Sequence, residues 1–332
     1  MEKLNVAVIG VGSMGKNHAR VYSGLDNVNL VSVCDYNKET AKEIVKLYKI
    51  NCYKNYKEML KKEKIDAVSI CVPTKLHREV ALHAVNSKVN TLVEKPIATT
   101  IEEAKSIIDA AEKNKVKLMV GHIEIFNPVV QELKKRIEKN ELGNILQVHC
   151  ERLSLFPQRI IDVGVIVDLA IHEIYVLKYL IDSKVKRVYA ETGQRFHSSN
   201  EDLMIGTLRF ENGILGVINA NWLAPKKVRQ IEVTGEKGML VADYITQELY
   251  FYEKQFAAKY SDFKSGFKMG TEGKKVKIDV KASEPLRNEL VEFIGSIKNN
   301  KSPIVSGKDG LEALDIAQKF IESSKTGKSI TL

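Results

Sequence analysis

Residues 5–22, NVAVIGVGSMGKNHARVY, run from a continuous apolar strand through spaced glycines into a helical pattern. Strand, glycine turn and helix in that order begin a βαβ unit, and VNLVSVCDYN at 28–37 supplies its second buried strand. Gly10, Gly12 and Gly15 form a G-x-G-x-x-G, a triple that alone arises often by chance. Here it leaves a strand, opens a helix and is followed, twenty residues beyond Gly15, by Asp35 at the end of the next strand. Gly10 allows the tight turn, Gly12 lets backbone approach a pyrophosphate, and Gly15 permits close helix packing. The loop Gly10, Gly12, Ser13, Met14 and Gly15 is therefore expected to cradle a dinucleotide at a helix N-terminus. Asp35 would accept bonds from the adenosine ribose. Its carboxylate repels a 2′-phosphate, and Tyr36 and Asn37 follow it rather than an Arg, so NAD is expected over NADP.

Outward from this unit the alternation continues: KEMLKKEK helical, IDAVSICVP strand, HREVALHAVNS helix, VNTLVEKP strand, IEEAKSIIDAAEKN helix and VKLMVGH strand. Strands separated by helices predict a doubly wound parallel sheet, an α/β fold. After GHIEIFNP and the helix VVQELKKRIEKN, strands follow one another with turns such as ENG and GEKG, which predicts an antiparallel or mixed sheet. The expected domains are 1–122 and 123–332. Residues 259–277 are polar and glycine-punctuated and are expected as an exposed loop, and amphipathic helices around 284–299 and 308–324 close the chain. There is no internal repeat or low-complexity tract.

A chain of 332 residues with 44% hydrophobic content is long enough for two domains with real cores, which excludes disorder as a starting point. The first apolar run leads at once into glycines, so neither a signal peptide nor a membrane span is expected, and the protein is placed in the cytoplasm. Cys34, Cys52, Cys71 and Cys150 sit singly, without a Cys-x-x-Cys pair or a His at ligand spacing; reduced core thiols and no metal site are expected. The formal charge of +9 is spread along helices and mixed with acids. It reads as a solvated surface or as attraction for an anionic small substrate, not as a nucleic-acid stripe.

Three places carry chemistry. CVPTKLH at 71–77 and LVEKP at 92–96 end parallel strands, where open α/β sheets bind ligands. Pro73 and Thr74 can wall a nicotinamide ribose, and His77 either lines that site or is an ordinary first-turn helix residue. Glu94, Lys95 and Pro96 interrupt an apolar strand; Lys95 can bond a substrate hydroxyl or raise its acidity, or it is a snorkelling strand-end lysine. Third, DVGVIVDLAIHEIYVLKYLI at 162–181 holds Asp168 and His172 four positions apart on an otherwise apolar helix. An i, i+4 acid and imidazole are either a base with its orienting carboxylate or a buried structural pair.

Taken together, AVIGVGSMGKNHA with Asp35, EKP at 94–96, GHIEIFNP at 121–128 and Asp-x-x-x-His at 168–172 resemble the glucose-fructose oxidoreductase / inositol dehydrogenase (Gfo/Idh/MocA) family, and the likeness runs to GKDGLEALDIAQKFIESSKTGKSI at the end of the chain. The resemblance implies an N-terminal Rossmann domain and a C-terminal α+β domain with an open-faced mixed sheet that often builds a homodimer or homotetramer, with the active site between them. It implies Lys95, Asp168 and His172 as the catalytic residues. On this reading His172 takes the proton of a sugar hydroxyl whose hydride passes to NAD, Asp168 holds substrate and ring in register, and Lys95 stabilises the developing alkoxide. Glu94 joins the cofactor-binding set, with Gly10 to Gly15, Asp35, Tyr36, Pro73, Thr74, His77 and Lys95.

His122 and Asn127 leave the last Rossmann strand and are expected to meet substrate, with helix N-capping beside Pro128 as the alternative for Asn127. RLSLFPQRIIDVG at 152–164 offers Arg152, Arg159 and Asp162, and arginines suit a diphosphate; for Arg159 and Asp162 the alternative is an ion pair bracing a loop. PQRIIDVGVIVDLAIHE resembles the branch of the family that oxidises UDP-N-acetylhexosamines and their uronic acids at C3, so a UDP-N-acetylhexosamine is the expected substrate. Many relatives carry a glycine pair or triple before the Asp and a second acid after the His. Here VGVIVDLAIHEIY lacks that glycine cluster, and Glu173 stands at the adjacent position. A free polyol or hexose dehydrogenase, a glycosidase using NAD only transiently and a non-catalytic NAD sensor stay open as alternatives.

Overall fold

The opening apolar run forms β1 (Leu4–Ile9). It is followed by α1 (Ser13–Ser23), β2 (Val28–Cys34), α2 (Lys38–Tyr48), β3 (Asn51–Tyr53), α3 (Tyr56–Lys62), β4 (Ala67–Ile70), α4 (His77–Asn86), β5 (Asn90–Glu94), α5 (Ile101–Asn114) and β6 (Leu118–Gly121). These strands make a six-stranded sheet in the order β3-β2-β1-β4-β5-β6, every neighbouring pair parallel. β4 and β6 are buried throughout because helices pack on both faces, which is why they read as unbroken apolar runs. The order reverses between β1 and β4, and ligands of such sheets bind at that switch point.

The computed structural model describes residues 3–157, 163–196, 199–254 and 273–332. It divides into one unit of Met1–Phe126 with Glu284–Asp315 and a second of Asn127–Ser283 with Ile316–Leu332. The division differs from the expected cut at residue 122 in two ways. The turn Ile123–Phe126 stays with the first unit, where the Phe126 carbonyl accepts the Asn288 amide at 3.0 Å from α8 (Pro285–Lys298). α8 itself belongs there, since Arg287 donates to the Gly24 carbonyl at 3.4 Å and Glu284 pairs with Arg20. Sequence order could not reveal this return, because it is made by contacts far apart along the chain.

In the second unit come α6 (Pro128–Glu138), β7 (Ile145–Leu155), a π-helical turn Ile166–Ala170, α7 (Ile171–Ile181), β8 (Val185–Gly193), β9 (Leu203–Phe210), β10 (Leu215–Asn221), β11 (Leu223–Gly235), β12 (Gly238–Asp243), β13 (Glu248–Glu253) and β14 (Lys275–Ile278). After α9 (Gly307–Thr326), β15 (Ile330–Thr331) ends the described chain. Among the described residues these strands form a nine-stranded mixed sheet, β14-β13-β12-β11-β7-β10-β9-β8-β15, in which β7 and β10 pair in parallel and the other pairs are antiparallel. β10 and β12 bury every second residue, so one face is covered, with α6 and α7 packed on it, and the other is half-exposed. The loop expected at 259–277 is corrected at its end: Lys275–Ile278 is a strand on β13, its lysine-valine alternation suiting a charged sheet edge. Residues 255–272 lie outside the described residues.

Candidate active site

At the switch point the glycine turn is built for close approach. Gly10 has φ +82°, and a Cβ there would stand 2.7 Å from the Cys71 carbonyl oxygen; a Cβ on Gly15 would lie 1.8 Å from the Gly10 oxygen. Gly12 is the N-cap of α1, with no side-chain cap, no acid in the first turn and nothing within 4 Å of its would-be Cβ. The first-turn N–H groups are thus offered to an anion, which fits a dinucleotide pyrophosphate. Asp35 accepts the Val11 N–H at 2.9 Å through Oδ2 and the Asn37 N–H at 2.8 Å through Oδ1, so the carboxylate expected at the ribose also braces the glycine loop. Tyr36 beside it is 90% exposed.

Past β4, Pro73 is exposed and Thr74 opens a short 3-10 turn. His77 is buried: its Nδ1 lies 2.8 Å from the Pro96 carbonyl and its Nε2 2.9 Å from the Val72 carbonyl, and burial pulls its pKa below the usual value. A neutral ring can donate to only one of these oxygens. His77 therefore ties the β4 loop to the Glu94-Lys95-Pro96 turn from the first turn of α4, the placement given above as the alternative to cofactor lining. Lys95 is half-buried just past the end of β5, and the Glu94 carboxylate beside it turns inward to His18 Nε2 at 2.9 Å. His122 follows β6 and is buried.

In the second unit Asp168 and His172 are half-exposed, while Ile166, Ala170, Ile171 and Glu173 around them are buried. They do not share one regular α-helix. Asp168 sits in the π-helical turn and His172 in the first turn of α7, so their spacing straddles a change of helical pitch of the kind frequent at functional sites. The turn is held by Glu201, whose carboxylate accepts the Ile166 N–H at 3.1 Å and whose carbonyl accepts the Val165 N–H at 2.9 Å. No sequence signal near Asp168 pointed to Glu201, because the contact is long-range.

Arg152 and Asn127 are both buried on partners within the protein, Asn127 in the N-cap position given above as its alternative. Arg152 on β7 is buried and donates from Nε to Glu173 at 2.6 Å, and the Tyr244 hydroxyl lies 3.2 Å from the other carboxylate oxygen. Asn127 is buried as the N-cap of α6, its Oδ1 accepting the Val129 N–H at 3.3 Å and its Nδ2 donating to the Tyr244 carbonyl at 3.0 Å, so both ends of the amide are spent on structure. Arg159 and Asp162 lie outside the described residues. Glu173 was visible in sequence as an acid next to His172 in an apolar helix, and its partner came from a distant strand.

A model described as the oxidoreductase family with an NAD-binding Rossmann fold matches residues 4–122, and the Gfo/Idh/MocA C-terminal domain matches 130–241. The chain belongs to the Gfo/Idh/MocA family. This member of the family carries an NAD-binding Rossmann domain and a mixed-sheet domain of an oxidoreductase. Its similar proteins include the UDP-N-acetylglucosamine 3-dehydrogenase of Acidithiobacillus ferrooxidans, 26% identical over 96% of each chain. The myo-inositol 2-dehydrogenase of Thermotoga maritima is also 26% identical, over 98% of each chain. A solved structure of the Acidithiobacillus protein superposes with a TM-score of 0.86 at 24% identity, over 98% of this chain and 99% of that one. The WlbA dehydrogenase of Bordetella pertussis, in complex with NADH and UDP-GlcNAcA, superposes at 0.83 with 24% identity, over 100% of this Gfo/Idh/MocA chain and 99% of WlbA. At these identities the superpositions establish the fold. No helix among the described residues is long and apolar enough to cross a membrane.

Proposed function

We propose that the protein is an NAD-dependent dehydrogenase that oxidises the C3 hydroxyl of a UDP-N-acetylhexosamine, foremost UDP-N-acetylglucosamine, to the 3-keto sugar nucleotide. The observation that carries the substrate class is the likeness over 96% of both chains to a UDP-N-acetylglucosamine 3-dehydrogenase. The run PQRIIDVGVIVDLAIHE supports the same branch.

Gly10, Gly12, Ser13, Met14, Gly15 and Asp35 would hold the cofactor, as the uncapped α1 N-terminus and the glycine clearances support. NAD, when bound, accepts the two electrons that the alcohol loses. Lys95, Asp168 and His172, all half-exposed, are the catalytic set. His172, as a neutral imidazole, takes the hydroxyl proton near neutral pH; Asp168 orients the substrate hydroxyl, and the Lys95 ammonium lowers the energy of the developing alkoxide. With Arg152 committed to Glu173, Arg159 remains as the clamp for the diphosphate. The proposed setting is the cytoplasm, and the proposed assembly a homodimer or homotetramer.

A second reading, oxidation of a free polyol such as inositol, has support of equal weight in the Thermotoga relative. Purified protein with NAD, offered separately UDP-N-acetylglucosamine, its galacto epimer, the corresponding uronic acid, myo-inositol and glucose, separates the two by NADH absorbance. NADH with a UDP-sugar alone is the expected result. Turnover of myo-inositol or glucose without any UDP-sugar would overturn the proposal.

A further inference from the structure

Beneath the Glu94-Lys95-Pro96 turn lies a buried polar knot that the proposed chemistry does not use. His18, fully buried on α1, places Nε2 2.9 Å from Glu94 Oε1, and Glu94 Oε2 accepts the Lys95 backbone N–H at 3.3 Å. Gly121 leaves room for this carboxylate: a Cβ there would stand 3.1 Å from its carboxyl carbon. The His18 ring meets Tyr22 edge to face at 6.4 Å, and the Tyr22 hydroxyl lies 2.8 Å from Ser69 Oγ, so the imidazole is wedged as well as bonded. Three motifs separated along the chain, the glycine helix, the EKP turn and the Gly121-His122 strand end, thus converge on one carboxylate.

The surroundings make that bond consequential. Glu289 of α8 is buried close enough to act on Glu94 and Cys71 by charge, and Glu124 adds to the same acidic environment. One ring nitrogen of His18, Cys71 Sγ and a Glu94 oxygen also lie within 4.8 Å of one another. Without His18, Glu94 would be a buried acid among acids, and the next residue in sequence, Lys95, is a cation to which it can swing.

We propose that His18 is a positioning residue for Lys95: it binds Glu94 inward and thereby sets how the strand end presents the lysine. Neither residue need touch substrate for this. The inference rests on the reading of Lys95 as catalytic.

The test is the rate at which trinitrobenzenesulfonate labels Lys95 in the NAD-bound protein, measured on the peptide against the exposed Lys42. In His18→Leu the freed carboxylate pairs with the ammonium, and labelling of Lys95 slows by at least ~3-fold; in His18→Gln, which can still donate to Glu94, it returns toward the parent rate. NAD affinity by calorimetry, near that of the parent, certifies the fold. Gly121→Ala, which crowds the same carboxylate, gives the same slowing should His18→Leu fail to fold. Unchanged Lys95 labelling in the folded variants overturns the inference.

Turnover of UDP-N-acetylglucosamine keeps the two ideas apart. If Lys95→Ala turns over normally, the catalytic reading falls whatever the labelling shows. If Lys95→Ala is inactive while His18→Leu labels and turns over normally, only the positioning role falls. With both ideas right, His18→Leu loses ~10-fold in kcat with little change in KM, and adding it to Lys95→Ala costs nothing further.

Discussion

Glu173 accepts the Arg152 Nε–H at 2.6 Å with the two side chains 0% and 2% exposed, so a complete ion pair stands in the interior immediately beside His172 in sequence. Removing one partner strands a buried charge. Arg152→Met or Glu173→Leu alone should therefore cost ~3–5 kcal/mol in chemical denaturation, and the double replacement much less than their sum. If each single variant is as stable as the parent, the pair does not brace α7.

Asp35 accepts the Val11 N–H at 2.9 Å, and ribose recognition is the second role proposed for its carboxylate. Asp35→Ala should weaken NAD by ~10-fold or more and relax discrimination against NADP, read by calorimetry with each cofactor. An unchanged preference between the two would remove the carboxylate from the ribose site.

His172→Ala and Lys95→Ala should each lose at least ~10²-fold in kcat while NAD affinity stays near the parent value, as for loss of a proton-transfer or charge-stabilising group. Stopped-flow measurement of NADH formation checks this. Parent-like turnover in either variant rejects that residue's role.

Arg159→Ala should raise KM for UDP-N-acetylglucosamine with a smaller effect on kcat, because a diphosphate clamp binds ground state and transition state alike. An unaltered KM places Arg159 outside the substrate site.

Burial first, then the charges of Glu94, Glu292 and Glu124, push the Glu289 carboxyl well above its ordinary 4.5. The folded chain thus keeps a proton that the unfolded chain releases as pH rises through 4.5. The stability this group contributes is present below that pH and lost as pH rises through the folded value. Glu289→Gln should accordingly raise the melting temperature by ~2–4 °C at pH 8 and by little at pH 4.5, measured by calorimetry. An equal change at both pH values would mean that the proton is not what the substitution replaces.

The Rossmann half was legible because its signals are local. Strand, glycine turn, helix and Asp35 fall within one stretch of chain, and each is dictated by backbone sterics or by a period that short windows resolve. Lys95, Asp168 and His172 stood out as polar residues where propensity called for aliphatic ones, and each is half-exposed. Asn127, chosen where the chain leaves the last Rossmann strand, and Arg152, chosen as an arginine suited to a diphosphate, are buried on structural partners. Local composition marks a polar residue as unusual without saying whether a ligand or another side chain satisfies it.

By itself, then, the sequence determined the parallel sheet, the dinucleotide loop, the change to a mixed sheet and the set of unusual polar residues, since these follow from periodicity, glycine conformation and spacing. Only the tertiary structure decided that 284–315 joins the first unit, that Asp168 sits in a π-helical turn held by Glu201, that Arg152 answers Glu173, and that His18 and Gly121 meet at Glu94. Each of these depends on residues far apart in the chain whose polar groups must find partners once water is excluded, and no short window of sequence contains both partners.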